Sequence, residues 1–286
     1  MQERSGFDLN IRIKFQKSGV MKFIGHLDMM RYFQKAIRRA GIDIAYSEGY
    51  SPHQLMSFAA PLGVGLTSSG EYFDIQVNSS QSSTASIDAL NRVMVEGVSI
   101  LEYKRLPDTA KPSMSLVAAA DYLIGTKPGY QPLFQTYGEY KERLLAFYAQ
   151  PHIWMTKQTK KSQVELDLKR FLYQAEVLDG NGAYGFSEPH SGNLLFLQVC
   201  TGSSDNIKPE LVLEAFCKFC GMDYQPLAYQ IHRLEVYAKS DEIPVKGEAE
   251  RKAYQKYLDS WKESLQAKGE RFPRFLALGD LGEEIQ

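Results

Sequence analysis

The chain has 286 residues, of which 44% are hydrophobic and 12% aromatic, and its formal net charge is −1. That supplies a sizeable core, in one large domain or two modest ones, and excludes a disordered chain. No apolar run is long enough to span a bilayer, no signal-peptide h-region opens the chain, and three cysteines (Cys200, Cys217, Cys220) make no disulfide framework, so a cytoplasmic globular protein away from membranes is expected.

Residues 11–16, IRIKFQ, alternate, so a first strand turns Ile11, Ile13 and Phe15 toward a core and Arg12, Lys14 and Gln16 toward an exposed sheet face. Apolar residues at helical spacing from Leu27 to Ala40 give a helix that Gly41 ends, with Arg31, Lys35 and Arg38 together on its opposite face. A short strand near residues 42–46 and a long Gly/Pro/Ser-rich loop lead to EYFDIQV, whose Phe73, Ile75 and Val77 face the core. A helix over about 83–96, capped from NSSQSST, and the strand VSILEYKRL complete a β-α-β-β-α-β order, the split βαβ or ferredoxin-like unit.

Pro107 and Pro112 mark a linker, after which the pattern recurs: SLVAAADYLIG as a strand, 137–149 as a helix, three further strands, a helix opened by Pro209 and a last strand, IHRLEVYA. The expected fold is α+β, two ferredoxin-like units in tandem (8–106 and 113–239) with a charged helical tail or extension (240–286). In that tail Ala253, Tyr257, Trp261 and Leu265 lie four apart, enough for one narrow docking face.

Three features bear on function. Between Ile11 and Ala40 there are eight basic residues against one acid, Asp28, a local excess that the near-zero total charge hides. His26 opens the helix, where a bare cap or an anion contact both fit, and a metal site with Asp28 and His53 lacks further ligands. The loop from Ser47 to Ser69 is long and too apolar for disorder, which points to a shaped, ordered loop. Arg12, Lys14, Arg31, Lys35, Arg38 and Arg39, with Lys157, Lys160 and Lys161 further on, are candidate phosphate contacts, and Tyr46, Tyr50 and Tyr72 are available to stack on bases. A solvated helix face is the plain alternative. Cys217-x-x-Cys220 falls at a helix end and reads as buried thiols rather than as a zinc half-site. No P-loop, dinucleotide fingerprint, G-x-S-x-G, H-E-x-x-H or iron-sulfur motif is present, so no catalytic residue and no cofactor is assigned.

The stretches GHLDMMRYFQKAIRRAGI, AYSEGYSPHQLMSFAAPLGVG and GEYFDI, with SLVAAADYLI and TKKSQVELDLKRF, resemble the bacterial radical-SAM-linked domain of unknown function over about residues 8–238. The motif positions that match are His26, Asp28, Arg38, Tyr46, Gly49, Pro52, His53, Ser57, Phe58, Pro61 and Glu71. Many relatives carry Pro and then a basic residue after the second histidine, where this chain has Gln54 and Leu55. The resemblance implies a partnership with a separate radical S-adenosylmethionine protein and a connection to RNA or the ribosome. The expected function is a non-catalytic RNA-binding or ribosome-associated adaptor contacting RNA through Arg12, Lys14, His26, Arg31, Lys35, Arg38, Tyr46, Tyr50 and His53. Two alternatives stand beside it: a metal-independent endoribonuclease using His26, by analogy with CRISPR RNA endonucleases, and a module that docks the radical SAM enzyme.

Overall fold

The computed structural model describes residues 9–158, 163–182, 184–186, 188–202 and 205–286. They fall into two compact units. One takes in the described residues up to Val64, Gly70–Ala118 and Val236–Gln286; the other takes in Gly65–Ser69 and Ala119–Glu235. Helices and sheet combine in an α+β fold, the class expected.

In the first unit β1 (Leu9–Lys17), α1 (His26–Arg39), β2 (Met56–Phe58), β3 (Thr67–Val77), α2 (Ser83–Asn91) and β4 (Val98–Arg105) follow in β-α-β-β-α-β order. The strands lie side by side as β4-β1-β3, with β2 antiparallel on β3. Alternation in β1 and β3 sends Ile11, Ile13, Phe15, Phe73, Ile75 and Val77 to one face, where Met29, Phe33 and Ile37 of α1 and Leu90 of α2 complete a single core. At its centre Phe15, Phe33, Phe58 and Phe73 pack ring to ring, with centroids 4.7–6.1 Å apart.

Helix α1 stops as its sequence dictates. Gly41 takes φ +71°, its N–H donates to Arg38 O (3.2 Å), and Ile42 N–H reaches back to Ile37 O (3.2 Å), a Schellman closure that a residue with Cβ adopts only under strain. The second strand differs from expectation. Residues 44 and 46 make only single bridges, Ile44 to Val77 and Tyr46 to Gln54, and the paired strand is β2. Helix α2 is also shorter than its apolar spacing suggests: it ends at Asn91, whose side-chain amide bonds both backbone groups of Ile100 (3.0 and 2.7 Å), and the chain goes on in tighter turns, Val93 N–H to Leu90 O and Met94 N–H to Asn91 O.

Beyond β4 the chain forms the single turn α3 (Ser113–Leu116) and enters β5 (Val117–Thr126). The second unit continues with α4 (Tyr137–Ala149), β6 (Trp154–Gln158), β7 (Gln163–Asp167), β8 (Leu172–Leu178), β9 (Ser191–Cys200), α5 (Pro209–Phe219) and β10 (Tyr229–Lys239). Its strands lie as β10-β5-β9-β8, the fourth-first-third-second order of the first unit, with the β6–β7 hairpin inserted as a separate two-stranded sheet. The stretch VELDLKRFLYQAEVL, continuous in its sequence pattern, is broken between β7 and β8 by a 3-10 turn at Leu168–Arg170. Cys217 is fully buried on the core side of α5, and burial pushes its thiol up to about 11.

Residues 240–286 belong to the first unit. They form α6 (Glu248–Ala267), β11 (Phe275–Ala277) on the end of β10, a 3-10 turn at Leu278–Leu281, and β12 (Glu283–Glu284) on the edge of β4. Ile285 exchanges hydrogen bonds with Ser83 at the start of α2, donating to Ser83 Oγ (2.8 Å) and accepting from its N–H (2.9 Å). A stretch with little sequence periodicity thus closes one sheet edge. Among the described residues no helix is long and apolar enough to cross a membrane.

Candidate nucleic-acid interface

The first unit has two candidate surfaces, the outer side of α1 and the sheet face away from the core. The structure corrects the expectation that the second is open. Arg12 is only 2% exposed; its Nε and Nη2 donate to the two oxygens of Asp74 (2.8 and 3.1 Å) and its Nη1 donates to Leu278 O (3.0 Å). Asp74 in turn accepts from the N–H of Ser113 (2.7 Å). The linker turn and the 3-10 turn after β11 therefore cover this face, and Arg12 spends its donors inside the protein. Lys14 is part-buried beside it, 3.6 Å from Glu102 and over the ring of Tyr72, itself buried. Neither Arg12 nor Tyr72 is presented to a ligand at that face.

The outer side of α1 is as the spacing predicts. Met29, Phe33, Ala36 and Ile37 are buried, whereas Arg31, Lys35, Arg38 and Arg39 are exposed. Arg31 is paired with Asp28 one turn earlier (3.1 Å), both groups largely exposed, a contact worth little in water. Arg39 donates to Val93 O (3.1 Å). Lys35 and Arg38 make no ion pair or hydrogen bond among the described residues. Asp28 is the one acid on the helix.

His26 is the first helical residue and not the cap; Gly25 holds that place and offers no side chain. The His26 ring is half-buried, edge-on to Phe58 at 5.1 Å, and burial lowers its pKa, favouring neutral imidazole. His53 is exposed and pins the loop: its N–H donates to Ser47 Oγ (3.1 Å), its Nδ1 lies 2.8 Å from the same oxygen, and Ser47 N–H donates to His53 O (2.8 Å). The closure pushes Tyr50 to the tip, where it is fully exposed. Tyr46, at 43% exposure, accepts at its hydroxyl from Gln54 (3.5 Å), and Gln54 also donates to Gln34 O of α1 (3.1 Å), tying loop to helix.

No hydrogen bond, ion pair or ring contact joins His26 to His53, and among the described residues no three His, Cys, Asp or Glu side chains gather as a metal site. His53 instead borders a cleft of about 350 Å³ together with Asn10, Ser57, Asp74, Lys111 and Lys246. Those two lysines lie far from the basic helix in sequence and carry no motif that points to them. Lys160 and Lys161 lie outside the described residues, as does the side chain of Lys157.

Two units of one strand order, the first bearing a cationic helix face and a pinned aromatic loop, define an α+β protein. The chain belongs to the bacterial family described as "Uncharacterized protein conserved in bacteria (DUF2344)", which matches residues 10–209. No curated protein matches. Among solved structures, the chain is similar to one titled "Crystal Structure of a Cbf5-Nop10-Gar1 Complex" at 10% identity and TM-score 0.37, covering 92% of this chain and 57% of that one. A second, titled "Crystal Structure of an Unknown Protein from Galdieria sulphuraria", is 13% identical at TM-score 0.22 and covers 79% of this chain and 97% of that one. The chain thus spans little more than half of the first of these.

Proposed function

We propose that this protein is a cytoplasmic RNA-binding or ribosome-associated adaptor that holds an RNA strand on the outer side of α1 for a separate radical S-adenosylmethionine enzyme. One observation carries the RNA part: Arg31, Lys35 and Arg38 stand exposed on one side of α1, where Asp28 is the single acid and Lys35 and Arg38 have no protein partner among the described residues. Exposed cations in a row, two of them without a protein partner and Arg31 held only by a solvent-exposed pair with Asp28, follow a phosphate backbone and release its counterions. Tyr50 at the loop tip, with the loop tied to α1 through Gln54, adds an exposed ring on which a base stacks. The enzyme partner rests on the family resemblance alone.

Filter binding of single-stranded RNA across a salt series tests the reading. Three phosphate contacts give a slope of log K against log salt of about −2. Absence of binding at low salt, or binding indifferent to salt, rejects it. A broad RNA pool incubated with the protein stays full length under this reading, and specific cleavage abolished by His26→Ala transfers the proposal to the endonuclease.

A further inference from the structure

Helix α6 is 20 residues long, yet Leu258 is its one buried residue. A helix is ordinarily held by a broad apolar stripe. Here Tyr254, Tyr257 and Trp261, spaced on one side of α6, wall a cavity of about 510 Å³ within the first unit instead of filling it. That volume is in the range of small-molecule sites. Leu106, Leu116, Leu276 and Leu281 add aliphatic lining. Tyr257 is 59% exposed, and its ring lies 25° from parallel to that of Trp261 at 6.2 Å, while Phe272 props Trp261 edge-on at 4.7 Å. The aromatic side therefore offers one largely exposed ring, Tyr257, stacked on a part-buried Trp261 that backs it.

The polar groups at the cavity divide by sign. Its cations are engaged: Arg12 by Asp74 and Leu278 O, and Lys111 by Glu242 at 3.5 Å. Its carboxylates are not, since Asp280 and Glu283 form no ion pair among the described residues and both are exposed. An exposed aromatic face beside aliphatic lining selects a planar ligand, and unengaged acceptors select one whose edge donates hydrogen bonds. Free carboxylates with no free cation disfavour a phosphate here.

The geometry points to a nucleobase site: the cavity takes a single unstacked guanine, its ring on the exposed Tyr257 that Trp261 backs and its adjacent N1–H and exocyclic N2–H donating to Asp280 or Glu283. Guanine presents two parallel donors to one carboxylate, adenine and cytosine present an amino group, and uracil presents one N–H between two carbonyl oxygens that a carboxylate repels. Guanine therefore ranks first and uracil last. The inference deepens the RNA reading and rests on it for its biological sense, but the site is physically separate from the phosphate-binding side of α1.

The test uses the full chain with Trp154→Phe, which leaves Trp261 as the one indole of the two in the sequence. Guanosine, adenosine, cytidine and uridine, all without phosphate, are titrated against indole emission and in a calorimeter. Guanosine is expected to quench saturably and to bind at least about tenfold more tightly than uridine. Asp280→Asn with Glu283→Gln is expected to erase the ranking, and Tyr257→Ala, at an exposed ring whose loss leaves the fold intact, to weaken guanosine about tenfold. No saturable guanosine binding up to about 5 mM, equal binding of uridine, or full binding by Tyr257→Ala overturns the site. Filter binding of RNA run alongside separates the two readings. Salt-dependent RNA binding without guanosine binding sinks the cavity alone, and guanosine binding without RNA binding sinks the adaptor and leaves a free-nucleoside site.

Discussion

Arg12 and Asp74 form a bidentate pair across β1 and β3, at 2.8 and 3.1 Å, with the guanidinium 2% exposed. Both partners are also anchored to chain segments outside the two strands, Arg12 to Leu278 O and Asp74 to Ser113 N–H. Arg12→Met leaves the Asp74 carboxylate short of its main donors, and breaking a buried pair from one side costs about 3 kcal/mol. Urea unfolding should show that loss for Arg12→Met and for Asp74→Leu separately, and a smaller loss for the two together than for their sum. Strictly additive effects would mean the pair is not coupled.

The helix face makes the opposite prediction. Arg31→Ala, Lys35→Ala and Arg38→Ala together should leave the unfolding midpoint almost unchanged, because all three side chains lie in solvent. The same triple variant should flatten the salt slope of RNA binding by about 2, while Tyr50→Ala weakens binding by about 1–2 kcal/mol without altering the slope. A triple variant that binds RNA as tightly as the parent places the contact elsewhere.

His232 governs an acid-side loss of stability. It is buried in the second unit, where Nδ1 lies 2.9 Å from Thr67 Oγ1 and Nε2 3.2 Å from Ser69 Oγ, and burial lowers its pKa to about 4. The folded pKa is below the unfolded one, so the unfolded chain binds the extra proton. Its contribution is full above about 6.5 and is lost as pH falls toward 4, about 3 kcal/mol in all. His232→Gln removes this titration, so the stability difference between parent and variant should shift by that amount between pH 7 and pH 4. A difference constant with pH removes His232 from the account.

Gly41→Ala should cost about 1 kcal/mol, since alanine must hold φ +71° to keep the closure between Ile42 and Ile37. In a unit of this size that lowers Tm by about 2–4 °C. An unshifted Tm would show that the helix end rearranges at no cost.

Sequence pattern made some of this legible and not the rest, for local reasons. Alternation at Ile11, Ile13 and Phe15 assigns one face of β1 to the core, but it is silent on what lies over Arg12. The cover comes from residues 113 and 278, and the second sits in a stretch without helical or strand period. Helix α1 was readable at both ends because spacing and Gly41 agree. The second strand was not, since residues 42–46 and 56–58 are similarly apolar and only pairing with β3 separates them. In the candidate site, the exposed cations of α1 follow from helical geometry. The pinning of His53 by Ser47 and the cavity beneath α6 depend on tertiary packing that no local pattern encodes.

Arg12 waits for a partner 266 residues away. At translation rates of about 5–20 residues per second, the first strand is exposed for roughly 13–50 s before the carbonyl of Leu278 is made, whereas the second unit has every strand it needs some forty residues earlier. The unit whose strands are synthesised first is thus the one whose chain is completed last, and through that interval the face of β1 and β3 lacks its C-terminal cover and is open to chaperones and to neighbouring nascent chains.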